Sequence, residues 1–177
     1  MAIMQENKRT IIERKAKWYV LYVKSRSEHK VSERFAEKGI KHYMPLQRVL
    51  KLWSDRKKWI DEPLFKSYIF VHIGLRQYLE TLDTDGVVAF VCFGGFPEPI
   101  PNSQIELIRK MLASDLEIEV TEQKYQAGDK VKVIRGPLAG FIGDYTEQRG
   151  KYKVIVRIDI IGQNVLVTMP LSSLQKM

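Results

Sequence analysis

The chain is poor in the residues that most often carry redox, metal or nucleophilic chemistry. One cysteine, Cys92, is present among 177 residues, which excludes a disulfide within the chain and a metal site built from cysteines. The three histidines, at positions 29, 42 and 72, lack metal-ligand spacing. Because Cys92 lies between Val91 and Phe93, we expect its thiol to be buried as a small hydrophobic group.

Long hydrophobic runs are also missing. No apolar stretch approaches the roughly 20 residues that a helix needs to span a bilayer, and the mixed-charge start of the chain does not resemble a secretory signal. We expect residues 1–16 to form a flexible extension. The sequence contains no Gly-x-Ser-x-Gly element, phosphate-binding loop or dinucleotide fingerprint. We therefore expect a cytoplasmic, non-enzymatic protein with no catalytic residues, no cofactor, no metal and no membrane partner.

The charge balance favours one class of partner. Lysine and arginine number 29 against 21 aspartates and glutamates, which gives a net charge of +8. A basic excess suits a polyanion, because each neutralised phosphate releases a condensed counterion. The alternative is a solvated basic surface without such a partner.

A strand and a helix are predicted near the start of the chain. Residues 17–24 are apolar on both alternating faces, which is typical of a central strand. Ser27 can cap a helix that continues to about residue 38, where Gly39 can end it. Val31 and Phe35 are four residues apart, so they share one buried stripe of that helix.

The same helix carries a line of cations. Lys30, Arg34 and Lys38 follow one another at intervals of four, and Lys24 leads into the helix. This pattern indicates a surface for nucleic-acid phosphates. A solvated helix face is the alternative.

A hairpin is predicted next. Two β-prone arms flank the polar residues 54–57, and Trp53 and Trp59 could pair across the arms. The tip is basic, with Arg56, Lys57 and Lys58. The hairpin can be a basic finger with aromatic neighbours, or the two tryptophans can serve only to hold its strands together.

The following strand, within residues 63–73, has two apolar faces. One face is aliphatic and should pack against helices. The other is aromatic, and an exposed aromatic cluster usually marks a protein interface. A second small core is the alternative. The aliphatic face comprises Ile69, Val71 and Ile73, and the aromatic face comprises Tyr68, Phe70 and His72, with Phe65 and Tyr22 close by.

The remaining elements predict an α+β protein of two domains. A strand over residues 87–93 and a stiff loop of glycines and prolines precede a helix with a capping box at Ser103 and Glu106. Residues 17–113 should form an α/β sandwich and the acidic residues 114–124 a linker. In residues 125–177, β-prone residues alternate with polar ones and glycines recur, which predicts a small β-barrel.

The start of this barrel carries the most specific motif of the chain. Glycines at two tight turns flank a strand of alternating valines. The stretch closely resembles the KOW motif of NusG-like elongation factors and some ribosomal proteins. The matching residues are Gly128, Asp129, Val131, Val133, Gly136, Pro137, Gly140 and Gly143.

The first half resembles the NusG N-terminal (NGN) domain. The resemblance rests on residues 18–24, 63–71 and 86–94, and the order NGN, linker and KOW covers residues 17–177. The run that begins at Glu62 and residues 91–95 are similar to specialised paralogues of the RfaH type. Residues 53–59 and the N-terminal extension look most like UpxY-type antiterminators of capsule polysaccharide operons.

The resemblance implies a monomeric transcription elongation or antitermination factor. In the family, the NGN domain binds the clamp helices of the RNA polymerase β′ subunit, contacts the β-subunit gate loop and suppresses pausing. The gate-loop side would lie near residues 78–81, although the His-Thr-Thr element of RfaH-like proteins is absent there. By position, the clamp-binding surface would use Tyr22, Phe65, Tyr68 and Phe70.

The resemblance also implies contacts with nucleic acid and with partner proteins. RfaH-type factors bind the non-template DNA strand, and the matching side chains would be Lys24, Lys30, Arg34 and Lys38. The KOW barrel would dock the NusE ribosomal protein or the Rho termination factor. The residues leave open a ribosome- or RNA-binding KOW protein that acts in translation, and an interaction module unrelated to transcription.

Overall fold

The structure is a computed structural model that describes residues 15–53, 55–123, 128–148 and 150–177. The chain forms two compact units, residues 1–102 and 103–177. Fourteen residues of the predicted N-terminal extension lie outside the described residues. None of the helices in the described part is long and apolar enough to cross a membrane.

The first unit is built on a four-stranded antiparallel sheet. The first strand, β1, is paired on both sides, as its two apolar faces predict. The strand order is β2-β5-β1-β6. The strands are β1 (Lys17–Val23), β2 (His42–Tyr43), β5 (Tyr68–Ile73) and β6 (Val87–Phe90).

One face of this sheet packs against the predicted helix, α1 (Glu28–Glu37). Val31 and Phe35 are both fully buried in a core that includes the aliphatic side of β5. Gly39 follows the helix with a φ of 67°, a conformation that glycine adopts without strain. The predicted helix, its buried stripe and its end are confirmed. A short helix, α2 (Tyr78–Leu82), precedes β6.

Two hairpins form separate two-stranded sheets in this unit. The first is the predicted one, β3 (Leu46–Leu52) with β4 (Lys57–Pro63). The second pairs β7 (Cys92–Phe93) with β8 (Phe96–Pro97), so the predicted stiff loop is a tight turn between strands. The prediction of a buried Cys92 is wrong, because β7 leaves the central sheet and exposes the thiol.

The second unit combines helix α3 (Asn102–Leu112) with a six-stranded antiparallel sheet. Ile105, Ile108 and Met111 form the buried side of α3. The sheet order is β14-β10-β11-β12-β13-β9. Its strands are β9 (Ile118–Thr121), β10 (Lys130–Val133), β11 (Ile142–Gln148), β12 (Lys151–Ile158), β13 (Gln163–Thr168) and β14 (Leu174–Lys176). The predicted α+β class with a C-terminal β domain is confirmed.

The segment predicted as a linker is corrected in part, because β9 lies inside residues 114–124 and pairs with β13. The acidic residues that suggested a linker lie on one side of β9 and in the residues just before it. Glu117 and Glu119 each form a 2.6 Å ion pair, with Lys151 and Lys153 respectively. The contacts also group residues 103–113 with the second unit, whereas the sequence placed them in the first domain.

Candidate functional site

Tyr22 and Tyr68 form an aromatic pair at one end of the central sheet. They lie opposite each other in the β1–β5 register, and their ring centroids are 5.6 Å apart at an interplanar angle of 61°. Tyr22 is 43% exposed and Tyr68 is partly exposed. These two rings are therefore placed where a partner can reach them.

Phe65 and Phe70 lie deeper and are 1% and 0% exposed. The prediction that they belong to an exposed aromatic face is wrong. Their rings pack edge to face at 5.9 Å, and Phe70 lies opposite Val20, which is also fully buried. The alternative of a second small core is correct for both phenylalanines. Their aromatic area is removed from water, and this burial stabilises the folded unit.

A buried acid that the sequence analysis missed fixes the turn before Tyr68. Glu28, in the first turn of α1, accepts a 2.8 Å hydrogen bond from the Ser67 backbone N–H. Ser67 has a φ of 65°, and its carbonyl accepts a 2.9 Å bond from the Val23 N–H. From the sequence, Glu28 could have been recognised only as an acid near a helix N-terminus, where its negative charge interacts favourably with the helix dipole.

The predicted cationic line is present, and an unpredicted acid lies within it. Arg34 approaches the Asp85 carboxylate at 2.9 Å, and Lys24 approaches it at 3.7 Å. Lys38 donates a 3.0 Å hydrogen bond to the Thr84 hydroxyl. The fourth cation, Lys30, is exposed on the same helix. Asp85 therefore neutralises part of the charge of this cationic line.

The turn that carries Asp85 is held against α1 by a glycine. Gly86 has a φ of 94°, and a Cβ atom at this position would lie 2.6 Å from the Val31 side chain. Its carbonyl accepts a 2.8 Å bond from the Lys24 N–H. Asp85 thus has a fixed position beside Arg34.

The segment that the resemblance assigns to the gate-loop side is helix α2. Tyr78 stacks on Phe90, with centroids 4.6 Å apart at 9°. The Thr81 hydroxyl donates a 2.6 Å bond to the Gln77 carbonyl and is buried. Leu79 is largely exposed. Glu80 beside it is also exposed, so the accessible surface of this segment presents one apolar and one acidic side chain.

The β3–β4 hairpin does not contain the predicted tryptophan pair. Trp59 lies opposite Leu50, and Arg48 stacks over it at 5.8 Å. Trp53 is beyond the paired residues, in the turn, where its backbone N–H donates to the Arg56 carbonyl at 2.8 Å. Register places the two tryptophans too far along the strands for cross-strand contact. Ser54, part of the predicted turn, lies outside the described residues.

The predicted KOW residues lie in β10, at the start of β11 and in the segments that precede and connect these two strands. Gly136 and Gly140 have φ values of 86° and 89°, so the left-handed turn predicted from the motif is confirmed. Val131 and Val133 are buried. Close packing explains why glycine occupies two further positions of the motif. A Cβ atom on Gly128 would lie 2.7 Å from the Tyr145 carbonyl oxygen, and one on Gly143 would lie 2.9 Å from the Val154 side chain. The other motif residues are Asp129, which pairs with Lys176 at 2.6 Å, and Pro137.

A buried carboxylate links three strands of this sheet. Asp144 contacts Lys130 at 2.9 Å and Arg157 at 3.0 Å. Burial raises the pKa of its carboxyl group, but the hydrogen bonds and charges of Lys130 and Arg157 outweigh burial and leave the pKa below its usual value. Among the described residues, no cluster of histidine, cysteine or acidic side chains could hold a metal ion.

Comparison with known proteins places this geometry in one family. The family profile described as "Transcription termination factor nusG" matches residues 16–109, more than half of the chain. Proteins named transcription termination/antitermination protein NusG are similar along most of their length. The one from Thermus thermophilus is 29% identical over 80% of this chain and 89% of its own, and the one from Halalkalibacterium halodurans is 25% identical over 90% and 97%.

A solved structure agrees with this similarity. The structure described as "Domain interaction in Thermotoga maritima NusG" has a TM-score of 0.58 and 27% identity, and the match covers 93% of this chain and 99% of that one. The match of the family profile to residues 16–109, which contain both the tyrosine pair and the cationic line, shows that the chain belongs to the NusG family.

Proposed function

We propose that this protein is a transcription elongation and antitermination factor that binds RNA polymerase through its first unit and suppresses pausing or termination. The NusG-family profile and the relatives named transcription termination/antitermination proteins support the general role. The single observation that carries the polymerase contact is the exposed Tyr22–Tyr68 pair on a domain of that family.

The tyrosine pair is the surface proposed to meet the clamp helices of the β′ subunit. Tyrosine rings offer large apolar area at low entropic cost, and such rings are enriched among the residues that dominate binding energy. Phe65 and Phe70 are proposed to support this surface from the interior of the unit. Phe70 lies two residues from Tyr68 and therefore on the same face of β5. A contact with the β-subunit gate loop would involve Leu79 and Glu80 of α2.

The cationic residues are proposed to bind phosphates of the non-template DNA strand. Lys30 is exposed, and Lys24 and Arg34 contact a carboxylate that is itself largely exposed. Exposed ion pairs contribute about 0–1 kcal/mol, so phosphates can compete with Asp85 for these side chains. Phosphate contacts position a protein on DNA without specifying sequence. Action at particular operons, such as capsule polysaccharide loci, is therefore proposed from the UpxY resemblance alone.

The C-terminal unit is proposed to dock a protein of the NusE or Rho class. The strands β9 to β14 support a KOW barrel. The choice of a NusE-like or Rho-like partner comes from the family resemblance.

Affinity purification of the tagged full-length protein from its own cells tests the proposal. We expect RNA polymerase subunits with the native protein and a loss of at least about tenfold with Tyr22→Ala plus Tyr68→Ala. Leu171→Ala, an exposed apolar side chain in the second unit, is the control. Recovery of ribosomes without polymerase would support a translation factor instead and defeat the proposal.

A further inference from the structure

A cavity of about 480 Å³ opens on the first unit, away from the tyrosine pair. It lies between the start of β1, the segment that follows β5, helix α2 and strand β8. Tyr19 lines it, and Tyr19 and Tyr22 point to opposite faces of β1 because side chains alternate along a strand. The cavity is therefore a separate site from the surface proposed to bind the clamp helices.

The interior of the cavity is apolar and already ordered. Ile73, Leu75 and Pro97 contribute aliphatic walls. Tyr78 is held flat against Phe90, and Tyr19 meets the edge of the same ring at 6.1 Å. A preformed apolar cavity of this size is typical of a ligand site, and binding there requires little ordering of the protein.

The mouth of the cavity exposes a large ring. Phe96 lines it and is 77% exposed. Its position is fixed by the β7–β8 hairpin, in which it lies opposite Phe93 and in which Gly94 and Gly95 have φ values of 61° and 88°. Two such residues form a type I′ turn, which suits a tight hairpin. A rigid apolar rim beside a cavity marks a docking surface rather than a site that encloses a small molecule.

The charges of the cavity define the occupant. Of the described residues that line it, the charged ones are Lys15 and Lys17. In the described part of the chain, neither lysine takes part in an ion pair. The Tyr19 hydroxyl is protonated at neutral pH, as phenols ordinarily are, and can donate a hydrogen bond; burial raises its pKa further. Two cations and a phenol at an apolar cavity complement carboxylates that flank an apolar group.

We propose that this cavity docks an acidic segment of a partner protein, with a large apolar side chain inserted beside Tyr78 and Phe96 and with carboxylates on Lys15 and Lys17. The occupant is a peptide because the exposed rim extends along the β7–β8 hairpin beyond the cavity itself. The site is independent of polymerase binding through Tyr22 and Tyr68.

Fluorescence anisotropy with the full-length protein tests the site. The probe is a fluorescein-labelled hexapeptide of the sequence Asp-Asp-Leu-Phe-Asp-Asp. One control peptide replaces the four aspartates by lysine, and the other replaces Leu-Phe by Ala-Ala. We expect saturable binding of the probe alone, weakened severalfold between 50 and 200 mM salt, because the lysine contacts are exposed and screened (about 10 Å Debye length at 0.1 M).

Variants of the protein locate the binding. Lys15→Gln plus Lys17→Gln and, separately, Phe96→Ala should each weaken binding about tenfold, a change of about 1.4 kcal/mol. Lys66→Gln, an exposed lysine elsewhere, and Tyr22→Ala plus Tyr68→Ala should leave it unchanged. The lysine variant changes only exposed side chains, so it remains informative if Phe96→Ala lowers stability.

Three results would overturn the proposal. The first is that the lysine peptide or the Ala-Ala peptide binds as tightly as the probe. The second is that the probe still binds with native affinity after the Lys15 and Lys17 changes. The third is that the apolar anion 8-anilinonaphthalene-1-sulfonate binds in the cavity but the probe does not. Because the tyrosine variant retains peptide binding if the site is correct, failure here is distinguishable from failure of the polymerase proposal.

Discussion

The carboxylate of Glu28 accepts a hydrogen bond from the backbone N–H of Ser67 at 2.8 Å, and this bond joins helix α1 to the turn that leads into Tyr68. Glu28 is buried, although isolated acids seldom are. Ser67 adopts a left-handed conformation that a non-glycine residue populates at a cost. The bond therefore supports a strained turn directly beside the exposed tyrosine pair.

Glu28→Ala should lower the stability of the first unit and weaken polymerase binding. It leaves the Ser67 N–H without its acceptor, which costs about 1–3 kcal/mol when the group is buried. Thermal unfolding should show a fall of at least about 4 °C, since 1 kcal/mol shifts the midpoint of a domain of this size by roughly 4–8 °C. Glu28→Gln keeps an acceptor oxygen and should lose less. Equal midpoints for all three proteins would show that the bond does not stabilise the turn.

Asp85→Asn should strengthen binding to exposed non-template DNA. The substitution removes the negative charge that Lys24 and Arg34 contact and leaves both cations for phosphates. We expect a severalfold gain in affinity for a single-stranded oligonucleotide at low salt.

Lys30→Ala is the opposite change, because it removes a cation from the same surface. It should reduce the slope of log affinity against log salt by about 0.7, the value for one single-strand phosphate contact.

Lys110→Ala, an exposed lysine on α3, should leave the slope unchanged and serves as the control for both variants. A Lys30→Ala protein with the native slope would remove that residue from the DNA surface. A loss of affinity in Asp85→Asn would show that Asp85 positions Arg34 rather than competing with phosphate.

Hydrophobic periodicity predicted the elements that have strong local signals. Val31 and Phe35 on α1 and the turn glycines Gly136 and Gly140 behave as their spacing and conformational freedom require. Alternation also identified two apolar faces of β5. It could not decide that Phe70 is covered and Tyr22 is not, because burial depends on what packs over a face from elsewhere in the chain.

Two other features depended on distant partners. Glu117 and Glu119 indicated a linker because local composition does not reveal that Lys151 and Lys153 lie across the sheet from them. Asp85 came beside Arg34 only through the turn that Gly86 allows. In both cases the sequence shows which residues are charged but not which of them lie close together in the fold.

Asp144→Ala should destabilise the C-terminal unit in a pH-dependent way. The carboxylate is buried between Lys130 and Arg157, and removing one partner of a buried ion pair costs up to about 3–5 kcal/mol. The partly exposed cations can be hydrated after the change, so we expect the lower part of that range. Asp144→Asn retains the size of the side chain and isolates the effect of charge.

The pH dependence follows from the lowered pKa of Asp144. The folded state binds its proton more weakly than the unfolded state, so the ionised carboxylate stabilises the fold fully above the unfolded pKa of about 3.9. This stability is lost as the pH falls through the lower folded pKa. The difference in free energy of unfolding between native and Asp144→Asn proteins should therefore be constant from pH 5 to 7 and shrink below about pH 4. A difference that persists at pH 2 would mean that packing, and not charge, stabilises this position.

The C-terminal sheet should keep its β structure both in the isolated second unit and in the intact protein. In the family, RfaH can refold this domain into a helical hairpin, and such a switch needs two packings of nearly equal free energy. Here β12 and β13 each contain a run of three buried valine, leucine or isoleucine residues and have hydrogen-bonded neighbours on both sides. The β-branched residues among them favour strands over helices. Circular dichroism of residues 103–177, the whole second unit, should match the spectrum obtained by subtracting that of residues 1–102 from that of the full chain. An excess of helical signal in the intact protein, lost on separating the two parts, would demonstrate a fold switch that the valine-rich strands are expected to prevent.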